Sequence, residues 1–423
     1  SAPRSESSMK RSAPDYVLVC NAGSSSLKLA KIGLRSEQLL ASAAVDLRSG
    51  RAELHVAHAG NASQRKAVAA RDIGAVIGPA LAMLGVEKAA SAGRKGAPGP
   101  EGGRLVAVGH RVVHGGGQFR ETTRLTERVE RKLRSLAELA PLHNGLAVQA
   151  IDAARRALPD IPHFAVFDTA FHATLRPAAY TYAIPHGWTE GWGLRRYGFH
   201  GLSHEYCAQR VAEMLGRRRG RLIIAHLGNG ASISAIRDGV CIDTSMGFTP
   251  LDGLMMGTRS GAIDPGIILH VLRERGLDAD AVERKLNHES GLLGVSGVSS
   301  DMREVLAAAN RGHARAKLAV EIYVRRVQQV IGAMAAVLGG VDALVFTAGV
   351  GENAAAIRAD VCANLAHLGV RLSATRNQTH KPDADVATRT SAVRVLVIHT
   401  REDLTILRKV RNALSFTGAG ASR

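Results

Sequence analysis

Val17-Leu-Val-Cys-Asn-Ala-Gly-Ser-Ser-Ser-Leu-Lys28 decides how this chain is read. Residues 16–20 are apolar and largely β-branched, which is the pattern of a buried strand. The run ends in Asn21, Gly23 and three serines, and apolar character resumes at 27–32. Gly23 lets the backbone approach an anion, Ser24–Ser26 offer N–H and O–H donors, and Lys28 adds a full positive charge. Taken alone, the stretch is equally a phosphate-cradling hairpin or an ordinary polar turn. The design recurs about two hundred residues later: a strand at 221–227, the turn Gly228-Asn-Gly-Ala-Ser232, and a second strand at 233–237. Two such hairpins imply a duplicated domain with a cleft between the copies.

Composition narrows the class. A chain of 423 residues with 46% hydrophobic content suits two globular domains. No apolar run is long enough to span a bilayer, so no membrane association is expected. Residues 1–14 are polar, lack an apolar signal core, and are expected to form a disordered tail. Cys20, Cys207, Cys241 and Cys362 are widely separated, which fits free thiols in a reducing cytoplasm. The net charge of +18 would suit nucleic acid, but the basic residues are spread along predicted helices. Aromatics are only 4%, leaving little for bases to stack on. The charge surplus is better suited to steering small anions.

Along the chain, short strands are expected at 40–47 and 52–57, and a helix near 73–84 from Ile73, Val76, Ile77, Ala80, Leu81 and Leu84 at helical spacing. Residues 89–103 read as a Gly/Pro loop. A strand at 105–108 leads into Gly109-His-Arg-Val-Val-His-Gly-Gly-Gly117. Thr126 should cap a helix, which Pro141 ends before a second helix runs to about 157. The strand at 163–167 ends at Asp168, and carboxylates at strand ends in α/β folds commonly face a ligand. A long helix at 314–338 is expected to bury Leu318, Ile322, Ile331, Met334 and Leu338. Strands at 343–347 and 393–398 and a closing helix complete the chain, with Gly349–Asn353 opening a helix where a nucleotide could approach.

Nine segments, at 21–28, 110–116, 141–144, 167–172, 197–204, 226–230, 249–261, 349–353 and 400–404, resemble in order those of the acetate kinase (acetokinase) family, within the acetate and sugar kinase/heat-shock/actin superfamily. The likeness spans residues 16 to about 410. It implies an α/β fold of two duplicated ribonuclease-H-like, actin-like ATPase domains with an interdomain nucleotide cleft. The expected division is 15–165 plus 393–415 for the first domain, with a returning C-terminal helix, and 166–392 for the nucleotide-binding second. A homodimer is implied. The chain departs from the family at Asp252 and Asp403, where Glu is expected, at His399, where Pro is usual, and at Arg401, where Asn is common.

The implied reaction is reversible, magnesium-dependent, in-line transfer of the ATP γ-phosphoryl group to acetate, giving ADP and acetyl phosphate, with Mn2+ able to substitute. Arg111 and Arg259 would hold the acetate carboxylate and the transferring group, because a guanidinium is planar and always charged. His200 would donate a hydrogen bond to that group as a neutral imidazole, with His143, His204 and His226 in support. Asp168 completes the implied catalytic set. Acetate is already ionised at neutral pH, so Asp168 is read as orienting a magnesium-bound water or an arginine rather than removing a proton. Asn21 and Glu402 are the implied metal ligands. Lys28; His226, Leu227, Gly228, Asn229 and Gly230; Asp301, Met302 and Arg303; and Gly349, Val350, Gly351, Glu352 and Asn353 are the implied nucleotide contacts. Val113, Leu142, Phe199 and Pro250 would line the acyl pocket, with bulky Val113 favouring acetate over propionate in part. A propionate or butyrate kinase, and a catalytically silent nucleotide switch, are the competing readings.

Overall fold

The structure is a computed structural model that describes residues 15–23, 26–46, 52–58, 63–68, 73–86, 103–136, 141–217 and 219–419. The expected tail at 1–14, most of the loop at 89–103, and Ser24 and Ser25 lie outside the described residues. Two compact units emerge. Of the described residues, those within 15–115, 121–167 and 403–419 form the first, and those within 116–120 and 168–402 the second.

The first unit is built on strands β1 (Tyr16–Ala22), β2 (Ser26–Gly33), β3 (Leu39–Asp46), β4 (Ala52–His58), β5 (Gln64–Val68), β6 (Leu105–Val112), β7 (Thr123–Arg124) and β8 (His163–Phe167). Their order in the sheet is β5-β4-β3-β2-β1-β6-β8-β7. β1 is central and nearly all buried because its run of Tyr16 to Cys20 offers no polar face. The helices Ile73–Met83 and Pro141–Ala157 pack together over this sheet, through Ile77, Ala80 and Leu81 on one and Ala150, Ala153 and Ala154 on the other. Helix Glu402–Ala419 lies directly on β6: a Cβ placed on Gly109 would come within 2.7 Å of Ile406 Cγ2 and 2.9 Å of Val410 Cγ2.

The second unit carries β9 (Arg221–Leu227), β10 (Ala231–Arg237), β11 (Val240–Thr244), β12 (Ala343–Thr347), β13 (Ala384–Asp385) and β14 (Arg394–Val397), in the order β11-β10-β9-β12-β14-β13. In each unit the first three strands form an antiparallel meander, and its first strand then takes a parallel partner that takes another. β3-β2-β1-β6-β8 and β11-β10-β9-β12-β14 are therefore the same topology twice. The duplication read from two turns extends to five strands.

Two expectations change. The segment from 393, placed in the first domain on sequence, forms β14 beside β12 in the second unit, and the chain enters the first unit only from Asp403. Val395, Leu396 and Val397 of this short strand find their partner in the parallel edge that β12 presents. On the helix Ala314–Leu338, Leu318 and Ile322 are exposed, at 49% and 36%, whereas Ala316, Ala319, Tyr323 and Val327 are buried. Ile331, Met334 and Leu338 are buried as expected, but small alanines at 316 and 319 meet the neighbours on the stripe that packs inward, and Leu318 and Ile322 fall on the other stripe.

Candidate active site

The first unit gathers three of the expected residues at the end of its central strands. Asn21 stands on β1 directly opposite Lys28 on β2. Arg111, on the parallel neighbour β6, donates from Nη1 to Asn21 Oδ1 at 3.1 Å. Strand alternation puts His110 on the other side, fully buried. There His110 and His163 stack with ring centroids 5.2 Å apart and share a 2.9 Å hydrogen bond. His163 Nε2 donates to Leu158 O at 3.1 Å, so its Nδ1 accepts from His110 Nε2. Burial pushes the His163 pKa down to about 4 and that of His110 well below the usual imidazole value. A neutral pair thus ties β6 to β8 under Arg111. Val113 is buried just beyond. The turn that carries it is held by Asn144, which accepts from His114 N at 3.0 Å and donates to His114 O at 2.9 Å. Leu142 and His143 lie in the first turn of the helix from Pro141, with their side chains outside the described set.

The second unit brings together His200, Arg259 and the turn from Gly228 to Gly230. A Cβ on Gly230 would sit 3.3 Å from His200 Nε2 and 3.5 Å from Arg259 Nη1, so both donors converge on one point over the hairpin. His200 precedes the helix Gly201–Leu215 with φ 56° and ψ 24°, a left-handed conformation that a side-chain-bearing residue adopts only under constraint. The constraint is visible. Gly201 N donates to Asp168 O at 3.1 Å, and a Cβ on Gly201 would fall 2.0 Å from that oxygen. Asp168, buried at the end of β8, is thereby joined to the residue beside His200. Phe199 is buried, and its carbonyl accepts from His172 Nε2 at 2.9 Å. Arg259 Nη1 donates to Pro250 O at 3.3 Å. The Arg259 loop is pinned from behind by Leu292 N to Met256 O at 2.9 Å and Ser290 N to Thr258 O at 2.9 Å. Burial lowers the arginine's pKa without discharging it, and its side-chain partners among the described residues are Pro250 O and Met256 Sδ, with no carboxylate. A desolvated guanidinium of this kind is an anion receptor.

Four buried or half-buried imidazoles line this region. His200 and His226 stack with centroids 4.2 Å apart, and His204 lies beside both His172 and His226. Ser232 Oγ lies 2.9 Å from His200 Nδ1 and 2.8 Å from His204 Nε2. Ser203 Oγ lies 2.8 Å from His226 Nδ1. Ser203 and Ser232 were absent from the sequence-based set, as a lone serine in a strand or helix carries no spacing signal.

The implied nucleotide segments divide by environment. Gly228 N donates to Gly230 O at 3.0 Å, closing the tight turn between β9 and β10, and Leu227 is buried beneath it. Gly257 N donates to Asn229 O at 3.0 Å, and a Cβ there would meet Asn229 Oδ1 and Ser300 O, which sets 301–303 beside the turn. Asp301 caps the helix Met302–Asn310 by accepting from Arg303 N at 2.8 Å, and the Arg303 guanidinium holds its pKa below the usual value. Met302 belongs to the core, while Arg303 is largely exposed. The short helix Ala348–Asn353 starts at Ala348 with φ 66°. Gly349 and Val350 occupy its first turns, Gly351 is buried against β9, and Asn353 Nδ2 donates back to Gly349 O at 2.9 Å. Glu352 is turned inward. It accepts from Ala348 N at 3.0 Å and pairs with His399 Nδ1 at 2.7 Å. Arg358, fully buried and unforeseen in the sequence, donates to Gly351 O and Glu352 O, both at 2.8 Å, and fixes this turn from below. A cavity of about 680 Å³ opens elsewhere in the unit, lined by Phe171, Glu205 and Leu222 and by none of the expected residues.

Asn21 and Glu402 offer an amide and a carboxylate oxygen. Among the described residues no group of three or more His, Cys, Asp or Glu could hold a metal. Hard oxygen donors in small number fit magnesium, which takes its remaining ligands from phosphates and water. They do not fit a site built to cage a metal on protein ligands alone.

Duplicated α/β sheets, with Arg111 beside the first hairpin and His200 and Arg259 converging over the second, fit a phosphotransferase. A model of the acetokinase family matches residues 16–408. An acetate kinase of Nostoc sp. is 46% identical over 402 residues, 92% of this chain and 97% of that one. Among solved structures, acetate kinase of Porphyromonas gingivalis superposes with a TM-score of 0.84 at 37% identity, covering 95% of this chain and all of that one. A propionate kinase of Francisella tularensis superposes at 0.85 with 36% identity, covering 93% and 98%. The chain belongs to the acetokinase family.

Proposed function

We propose that the chain is an acetate kinase, transferring the γ-phosphoryl group of ATP directly to acetate and returning it from acetyl phosphate to ADP. The convergence of His200 Nε2 and Arg259 Nη1 over Gly230 supports this reading best. Arg111 and Arg259 neutralise the carboxylate and the equatorial phosphoryl oxygens. His200 donates to those oxygens as charge builds on them. One acetate oxygen bonds to phosphorus as the bond from phosphorus to the bridging oxygen breaks, and that electron pair leaves with ADP. Asp168 orients the donors, for acetate carries no proton to remove at neutral pH. Val113, Leu142, Phe199 and Pro250 enclose the methyl group. Lys28, the turns at 226–230 and 349–353, and the segment 301–303 receive the nucleotide. Asn21 and Glu402 would hold magnesium together with phosphate and water, and the ion would supply charge neutralisation for the phosphates.

Exposed Ile267, Leu269, Leu318 and Val337 support self-association as a homodimer, and four buried free thiols support a reducing, cytoplasmic setting. Among the described residues, no helix is long and apolar enough to cross a membrane. Acyl hydroxamate formation from ATP, magnesium, hydroxylamine and acetate tests the activity. Arg259→Ala or Arg111→Ala should lose about 10²-fold or more in turnover while staying folded. Near-normal turnover in either would reject the assignment. Likeness to the propionate kinase structure favours propionate as the second substrate to compare. One methylene is worth about 1–3 kcal/mol, so kcat/KM should fall from acetate to propionate by roughly tenfold or more without vanishing.

A further inference from the structure

We propose that Ser232 and His204 are positioning residues that fix the tautomer of His200, presenting its Nε2–H toward the point it shares with Arg259. The inference rests on His200 acting as a donor in phosphoryl transfer. Ser232 is fully buried on β10, with its Oγ 2.9 Å from His200 Nδ1 and 2.8 Å from His204 Nε2. A hydroxyl has one proton to give and two lone pairs, and among the described residues Ser232 Oγ has no side-chain partner besides these two rings. Accepting from both would strand its own buried proton, so the two contacts run in one of two directions.

In the first direction, His204 Nε2–H donates to Ser232, Ser232 donates to His200 Nδ1, and His200 carries its proton on Nε2. In the second, His200 Nδ1–H donates to Ser232, Ser232 donates to His204 Nε2, and His204 must carry its proton on Nδ1. His204 Nδ1 is buried with no hydrogen-bond partner. The second direction therefore strands an N–H in the core, whereas the first leaves only a bare ring nitrogen there. It would also aim a lone pair from His200 at an anion. Burial holds the His204 pKa well below the usual imidazole value, assisted by His172 and His226, so a doubly protonated ring does not intervene. His172, its neighbour, is itself fixed with a proton on Nε2 because Phe199 O can only accept. The chain of donors runs outward from the core and ends at the reacting oxygens.

Selective 15N-histidine labelling reads the tautomer directly in the wild-type enzyme, with His200 assigned by its loss in His200→Asn. The expected spectrum has a bare Nδ1 and a protonated Nε2 for both His200 and His204. Protonation of His200 on Nδ1 overturns the proposal. In Ser232→Ala, the His200 signals should move to a tautomer mixture, and kcat should fall about tenfold to a hundredfold with KM changed by less than about threefold. His204→Gln keeps a donor for Ser232 and should retain most of kcat, whereas His204→Leu cannot donate and should lose as much as Ser232→Ala. Equal losses in the two His204 variants would assign a packing role instead. If the wild-type enzyme forms no acyl phosphate from any short carboxylic acid, the function reading fails, while the wild-type tautomer still decides this one.

Discussion

Gly230 shows how little room the chemistry leaves. Its missing side chain keeps open the space between the His200 and Arg259 donors, and the smallest addition would fill it. Gly230→Ala should therefore fold as the parent does and lose at least about tenfold in kcat/KM for acetate, with urea unfolding unchanged within about 0.5 kcal/mol. An active alanine variant would place the reacting group elsewhere. Arg259→Lys is expected to fail almost as fully as removal. Lysine brings a point charge but not the planar fork, and a buried ammonium sheds its proton more readily. Steady-state kinetics with the folded state checked by circular dichroism separates these outcomes.

At the scale of elements, β6 and the helix Glu402–Ala419 are in close contact, with Gly109 facing Ile406 and Val410. Gly109→Val should lower unfolding free energy by about 1–3 kcal/mol in urea, through overpacking. An unchanged midpoint would show that the helix yields freely. Strands β1 and β9 were legible because short apolar runs ending in glycine-rich turns admit few other readings. The converging residues His200, Arg259 and Gly230 were legible through motif likeness. The exposed Leu318 and Ile322 were not, because helical spacing alone does not say which of two apolar stripes meets the sheet. The four helices between 265 and 310 and the brief strands β5 and β13 were missed for a related reason: short or polar segments are fixed by what they pack on. Ser232 carries no signal of its role, since its partner His200 lies 32 residues away, and Arg358 is buried partly through Asn377, 19 residues on.

Across the whole molecule, histidines are buried neutral in both units: His110 and His163 in one, His172 and His204 in the other. Burial drives all four below the usual value, with His163 and His172 at about 4. Below the unfolded imidazole value near 6.5, the unfolded chain takes up protons that the folded chain refuses. Their stabilisation is thus complete above about pH 6.5 and drains away toward pH 4. The urea midpoint should fall between pH 7.5 and pH 5 by the equivalent of at least about 2 kcal/mol. A flat profile over that range would mean these rings are charged or solvated in the fold.

The return of the closing helix to the first sheet also constrains how the protein is born. As the nascent chain leaves the ribosome, the face of β6 around Gly109 has no cover until Ile406 and Val410 emerge. By then every strand of the second unit has already been synthesised. The unit translated first should therefore finish maturing last. In pulse-labelled chains truncated before Asp403, proteolysis should clip the early half while sparing the later one.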